Sequence, residues 1–261
     1  MLQSEPRFFA KIAETEEEFH SAHKLRYEVF VKELGSSGPL VDHQNALEKD
    51  EFDPHFDHLI LYDLAKPECS TSGVVGVCRL LPHDKALKLE KFYSEGEYDL
   101  KPLKASGRRL LELGRSCLHQ DYRGGSAMYY LWQALSEYVL QRDIEILFGV
   151  ASFHGTDISK LAEPLSLLHH NHLAPINLRV RAKDPNSQRM DLIHLADLNR
   201  PKAMIAVPSL IKAYLRLGGV VGEGAYIDYA FNTTDVCLIL DTKKLNTRQK
   251  SIYIKQKSFK R

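Results

Sequence analysis

Apolar positions between residues 15 and 34 recur at helical spacing behind an acidic start. Glu16, Glu17 and Glu18 lead into Phe19, Leu25, Val29 and Phe30, which predicts an amphipathic helix. The glycine- and proline-containing stretch 35–39 ends it, and the polar residues 40–57 read mainly as a loop able to form one wall of a cleft. Residues 58–64 and 73–81 have the apolar, β-branched character of strands, separated by a turn over 67–72. Residues 109–118 form the next predicted strand, 125–141 an amphipathic or largely buried helix and 144–151 a short apolar strand. That order predicts a parallel strand pair joined by a right-handed crossover. Further along, the pattern gives a helix over 157–171, a strand over 177–183, a helix over 202–217 and a strand over 235–241. The Gly218–Gly219 pair and the Gly222-Glu223-Gly224 stretch interrupt this half without demanding an independent domain, so residues 1–242 are expected to form a single domain.

Charge changes the picture at one end. The chain of 261 residues has a formal charge of +1, but the tail 243–261 holds eight bases and no acid, leaving about −7 on residues 1–242. The tail therefore suits an anionic lipid surface or an acidic protein, or acts only as a solubilising end. An acidic body with no base-reading motif argues against nucleic-acid binding. Cys69, Cys78, Cys117 and Cys237 are scattered, which disfavours a disulfide framework or a structural zinc site. Met1 to Arg7 lacks an apolar signal core and no run is long enough to span a bilayer. The expected location is the cytoplasm, with peripheral contact to the inner membrane from that side.

The candidate chemistry clusters around one strand and the turn after it. Glu112, Gly114 and Arg115 place a carboxylate and a guanidinium three residues apart, on opposite faces of an uninterrupted strand. A bulge near Gly114 would turn both toward one pocket; an ion pair at a sheet margin is the plainer alternative. Next come Arg123, Gly124, Gly125, Ser126 and Ala127. There a tight turn and the free N–H groups of a helix start can hold phosphate without a metal; an ordinary tight turn with no ligand is the plainer alternative. No Walker pattern is present. Upstream lie Arg26 and Phe30, four apart and so on one helical face, then Asp50 and Asp53 around Phe52, and Arg79 late in a strand. Each of these alone can be fold support.

In combination they resemble the branch of GNAT-like N-acyltransferases that contains the acyl-homoserine-lactone synthases and the ornithine-lipid acyltransferases. Arg26 with Phe30, Asp50 with Asp53, Arg79, then Glu112 with Arg115 follow that branch's order, and 120–127 resembles its phosphopantetheine-binding turn, with compressed spacing after Arg123. In the second half, the segments 169–175, 179–182, 208–219 and 228–236 resemble the ornithine acyltransferases rather than the shorter lactone synthases.

The resemblance implies an α/β fold of the GNAT-like acyltransferase type, with a central mixed, mostly antiparallel sheet, a splayed parallel strand pair and flanking helices. It implies transfer of a long-chain, 3-hydroxylated fatty acyl group from acyl carrier protein to the α-amine of ornithine. Glutamine is the alternative acceptor, and after it come lactone synthesis and a non-catalytic carrier- or membrane-binding module. No tightly bound cofactor and no metal are expected, since the phosphopantetheine thioester arrives on the carrier. In this reading Glu112 and Arg115 are catalytic, with Glu112 either accepting a proton or binding the ammonium. Arg26, Phe30, Asp50, Asp53 and Arg79 contact the amino acid, while residues 123–127 and the backbone at Gly149 and Val150 receive the donor. Phe30, Phe52, Phe148 and Phe153 are candidate acyl-cavity linings or simple core residues. Direct amine attack needs no acyl-enzyme, so Cys117 reads as a core residue, and His169, His170 and His172 as helix-end packing.

Overall fold

The computed structural model describes residues 7–38, 40–66 and 71–245. In chain order the strands and helices are β1 (Phe8–Ile12), α1 (Glu16–Arg26), β2 (Asp57–Asp63), β3 (Val74–Pro82), α2 (His83–Leu89), β4 (Tyr98–Asp99), α3 (Lys101–Ala105) and β5 (Leu110–Leu118). There follow α4 (Ala127–Gln141), β6 (Ile146–His154), α5 (Ile158–His172), β7 (Arg181–Ala182), β8 (Ser187–Gln188), α6 (Arg200–Ala206), α7 (Ser209–Arg216), β9 (Val220–Val221), β10 (Ala225–Asp228) and β11 (Thr233–Asp241). The sheet is mixed and mostly antiparallel, with a parallel pair, β5 with β6, and flanking helices.

A capping box starts α1. Thr15 Oγ1 accepts from the Glu18 amide at 3.2 Å while Glu18 Oε2 accepts from the Thr15 amide at 3.2 Å, and the acids of the first turn suit the positive helix end. The single helix expected over 15–34 is corrected here: after Arg26 the winding widens into a π-helix, Tyr27–Glu33. Its wider bonds, such as Leu34 N–H to the Val29 carbonyl, shift Phe30 out of strict four-residue register with Arg26. The helix expected over 202–217 is two helices, because Pro208 lacks an amide and disfavours helical geometry at Val207. The strand expected over 177–183 shrinks to β7, paired with β4.

The chain divides into two compact units. The first contains residues up to Leu81 and Leu113–Asp143; the second contains Pro82–Glu112 and Ile144–Leu245. In the first, strand order is β1, β2, β3, β5, with β1 and β3 both antiparallel to β2. Every residue of β3 is buried, which is why it reads as an almost continuous apolar run. Gly76 lies against the neighbouring strands, where a Cβ would meet Leu118 Cδ2 at 2.7 Å and Leu61 Cβ at 3.2 Å. In the second unit β6 and β11 pair antiparallel over their full length, from His154↔Thr233 to Ile146↔Asp241. β6 also pairs in parallel with the start of β5 at Leu110↔Ile146, Leu111↔Leu147 and Glu112↔Phe148. No described helix is long and apolar enough to cross a membrane. The tail beyond Leu245 lies outside the described residues, as does Cys69.

Candidate functional site

Three arginines and three carboxylates of the first unit close into a ring of alternating charge. Arg26, at the end of α1, donates from Nε to Glu48 Oε2 and from Nη1 to Asp53 Oδ1, both at 2.5 Å. Arg79, on β3, donates from Nη1 to the same Asp53 oxygen at 2.7 Å and to Asp50 Oδ1 at 2.6 Å. Arg115 completes the circuit, from Nε to Glu48 Oε1 at 3.1 Å and from Nη2 to Asp50 Oδ2 at 3.3 Å. Each carboxylate thus bridges two guanidiniums, and the formal charges cancel. Pairing of this kind is what makes buried ions tolerable.

Local structure delivers each member. The 48–53 loop is shaped by its own acids: Asp53 Oδ2 accepts from the Asp50 amide at 2.8 Å and Asp50 Oδ1 from the Phe52 amide at 2.9 Å. The Arg79 guanidinium lies 4.4 Å from the centroid of the Phe56 ring. Arg115 occupies left-handed backbone at φ 49° within β5, an irregularity at the position where a bulge was expected.

The ring has a buried side and a rim. Arg26 and Arg79 side chains are 0% exposed, whereas Arg115 and Asp50 keep 13% and 19% of their surface. Burial alone would raise the Glu48 carboxyl, but Arg26 and Arg115 hold it down at about 2. Burial likewise opposes ionisation of Asp53, and Arg26 with Arg79 overcomes it, keeping that carboxyl well below the ordinary range. His23 and His58 pack edge-on at 5.6 Å and flank Asp53, with ring nitrogens 3.5 and 3.6 Å from its oxygens. Burial first, then the Arg26 charge, lowers both imidazoles to about 4, so they are neutral at pH 7. Asp53 is committed to two guanidiniums, whose charge opposes a cation between these histidines.

Glu48, His23 and His58 are the members of this cluster that sequence reading did not single out. Charge balance was the available signal: Arg26, Arg79 and Arg115 converging with only Asp50 and Asp53 leave one guanidinium uncompensated, and Glu48 and Glu51 are the acids beside them, of which the fold buries Glu48 and exposes Glu51. Phe30 lies outside the ionic ring, half-buried against the apolar cluster of Ala13, Ala22, Leu25, Val29, Ile60, Val74, Val77 and Cys117.

Glu112 belongs to the second unit. It is buried, and its carboxylate accepts from the Tyr93 amide at 2.7 Å, the Ser94 amide at 2.6 Å and the Ser94 hydroxyl. It thereby holds the start of the 3-10 turn Tyr93–Gly96. In the first unit, Arg123 forks onto Glu33 and also donates from Nε and Nη2 to the Leu118 carbonyl at 3.1 and 3.0 Å, bracing the end of β5. Gly124 has φ 77°, with open space where a Cβ would stand, and α4 begins at Ala127 with no side-chain cap from Ser126. On β11 the Cys237 carbonyl accepts from the Gly222 amide, away from β6. Alternation then turns the Leu238 peptide groups toward Gly149, so Gly149 joins that ladder and the Val150 amide faces the edge of β6 that pairs with β5.

Burial places Cys117 in the apolar cluster and pushes its thiol up to about 12, far from a nucleophilic thiolate. Phe148 packs edge-on against Phe92 at 5.1 Å, and Phe153 is buried. His170 Nε2 lies 2.9 Å from the Ile193 carbonyl, and His169 packs edge-on against it at 5.3 Å.

Residues 25–133 match the acetyltransferase (GNAT) domain family. An L-ornithine N(alpha)-acyltransferase of Rhodobacter capsulatus is 56% identical, the match covering 94% of both chains. One of the same name from Brucella abortus is 40% identical over 93% of this chain and 87% of the relative. Among solved structures, FeeM, an N-acyl amino acid synthase from uncultured soil microbes, shares the fold at a TM-score of 0.52 and 13% identity, covering 92% of this chain and 93% of that one.

Proposed function

This chain belongs to the L-ornithine N(alpha)-acyltransferase family, and on that premise we propose that it moves a long-chain, 3-hydroxylated fatty acyl group from acyl carrier protein to the α-amine of L-ornithine. The observation that carries this reading is the buried Arg26–Glu48–Asp53–Arg79 frame, which leaves Arg115 and Asp50 as its partly exposed rim. A guanidinium beside a carboxylate is complementary to a zwitterionic amino acid. Arg115 takes the carboxylate and Asp50 the ammonium, while the frame prevents either from collapsing into the core.

In the reaction the neutral amine attacks the thioester carbonyl, a C–N bond forms and the C–S bond breaks. The nitrogen sheds one proton and the departing thiolate gains one. The ammonium of the free amino acid must first lose a proton. Glu48 and Asp53 are too acidic to take it at pH 7. Glu112 is buried and accepts from the Tyr93 and Ser94 amides and the Ser94 hydroxyl, so it acts by holding the 93–96 turn, and the proton leaves to water. The Gly124–Ala127 turn with the start of α4 receives the pantetheine phosphate.

Purified protein offered long-chain acyl carrier protein or acyl-coenzyme A, with ornithine, glutamine, lysine or S-adenosylmethionine separately, tests donor and acceptor by mass detection of product. Acyl-ornithine from the carrier-bound donor is expected. Acyl-glutamine or a lactone as the principal product would replace the acceptor, and no transfer beside an active relative would remove the enzymatic reading.

A further inference from the structure

Between Asp197 and Glu223 the chain has no carboxylate, although residues 1–242 are net acidic, and this stretch carries Arg200, Lys202, Lys212 and Arg216. It forms α6 and α7 in the second unit. α6 buries Ala203, and α7 buries Ile211 and Tyr214. The segment and the loop before it lie on one flank of α5: Lys202 Nζ of the segment lies 3.5 Å from Glu163, and the amides of Leu192 and Ile193 in that loop donate to Ser166 Oγ at 3.1 and 2.9 Å. Glu163 and Ser166 are three apart on the helix and so share a face.

Aliphatic and basic side chains are among those that remain outward. Ile205 is 79% exposed, Leu195 43% and Leu192 39%, without a described function in packing that would explain leaving an isoleucine in water. The Lys212 ammonium sits 2.9 Å from the Ile205 carbonyl, so a cation flanks the most exposed aliphatic residue among those described. Lys202 keeps 71% of its side chain in solvent and Arg200 is exposed.

We propose that this α6–α7 surface docks on an anionic lipid bilayer, with Ile205 entering the acyl boundary and Arg200, Lys202 and Lys212 at the phosphates. An acid-free basic segment beside an exposed aliphatic residue is the complement of that interface. The exposed residues are aliphatic, with no aromatic or arginine anchor seated in a groove, which fits a lipid plane better than the knob-and-pocket centre of a protein interface. The surface would bring an enzyme of an amphiphilic product to the phase in which that product resides. The inference rests on surface residues remote in sequence from the ionic ring and stands whichever amino acid is the acceptor.

The test uses the full chain with vesicles of phosphatidylcholine alone or mixed with phosphatidylglycerol. Binding to the mixed vesicles alone is expected, weakened about fivefold for each base removed in Arg200→Gln and Lys202→Gln, and weakened again in Ile205→Asp. Ile205→Trp should show a blue-shifted emission with mixed vesicles, read against the parent's Trp132. These positions are exposed, and the glutamine variants keep the reading available should the aspartate disturb folding. Unchanged binding in all three charge and apolar variants, or no emission shift at position 205, would overturn the proposal and leave any binding to residues 246–261. A shift caused by acyl carrier protein but not by vesicles would overturn it in favour of an acidic protein partner.

Discussion

Arg115 donates to Glu48 across 3.1 Å from a backbone at φ 49°, in the middle of a nine-residue strand. The other Glu48 oxygen is held by Arg26 at 2.5 Å, so a single carboxylate fixes one guanidinium at the rim against another in the core. A non-glycine residue in this conformation costs of order 1–3 kcal/mol and persists because surrounding contacts determine it. Here those contacts are Glu48 and Asp50.

Glu48→Gln should therefore do more harm than its distance from any substrate suggests. It leaves Arg26 and Arg115 sharing a neutral acceptor, and a loss of about 3–5 kcal/mol in urea unfolding is expected. If the variant unfolds near its parent's midpoint, the ring is not under the constraint described.

Asp50→Asn and Asp53→Asn should separate cleanly. Asp50 stands at the rim, so its variant should raise KM for the amino acid and lose less stability than the Asp53 variant. Asp53 is buried between Arg26 and Arg79, so its variant should lose about 3 kcal/mol or more of stability. Equal effects on stability and KM in both would dissolve the distinction between frame and rim.

Arg115→Lys keeps the charge and loses the fork that spans Glu48 and Asp50. Turnover relative to KM for the amino acid should fall about a hundredfold, and Arg115→Ala should fall further. Steady-state kinetics with the amino acid varied checks this, and a lysine variant of parental kcat/KM would exclude a bidentate contact.

The two buried histidines give stability a pH signature. Their folded pKa of about 4 lies below the unfolded value of 6.5, so between those limits the unfolded state binds more protons and stability falls as pH falls. The slope should approach about 1.4 kcal/mol per pH unit for each histidine through that window. Glu48, depressed to about 2 against an unfolded value of 4.5, contributes stability that is lost as pH falls from the second value toward the first. Denaturation midpoints from pH 7 to pH 4.5 should fall continuously and flatten by about half in His58→Asn.

Cys117→Ala should retain turnover while losing about 1 kcal/mol of stability, because the thiol is packed among Leu25, Val77 and their neighbours. A stable acyl-protein burst seen with the parent and absent from this variant would instead establish a covalent step.

The strands and helices that pack by period were legible in the residues themselves. The acidic start of α1, the all-buried run of β3 and the strand–helix–strand order of β5, α4 and β6 follow from local pattern, because side-chain direction repeats with fixed spacing. So were the residue types of the ring, Arg26, Asp50, Asp53, Arg79 and Arg115, and the irregularity near Gly114. What tertiary structure decided is who faces whom. Glu48 becomes a bridge only when α1, the 48–53 loop and β5 converge. The partners of Glu112 are amides of Tyr93 and Ser94, nearly twenty residues away. The π-helix after Arg26 and the break at Pro208 show the same division, since periodicity registers apolar spacing but not the hydrogen-bond pattern that winds the chain. Local sequence specifies the direction of a side chain, whereas the partner of a charge is set by long-range convergence, where desolvation penalises every ion left unpaired.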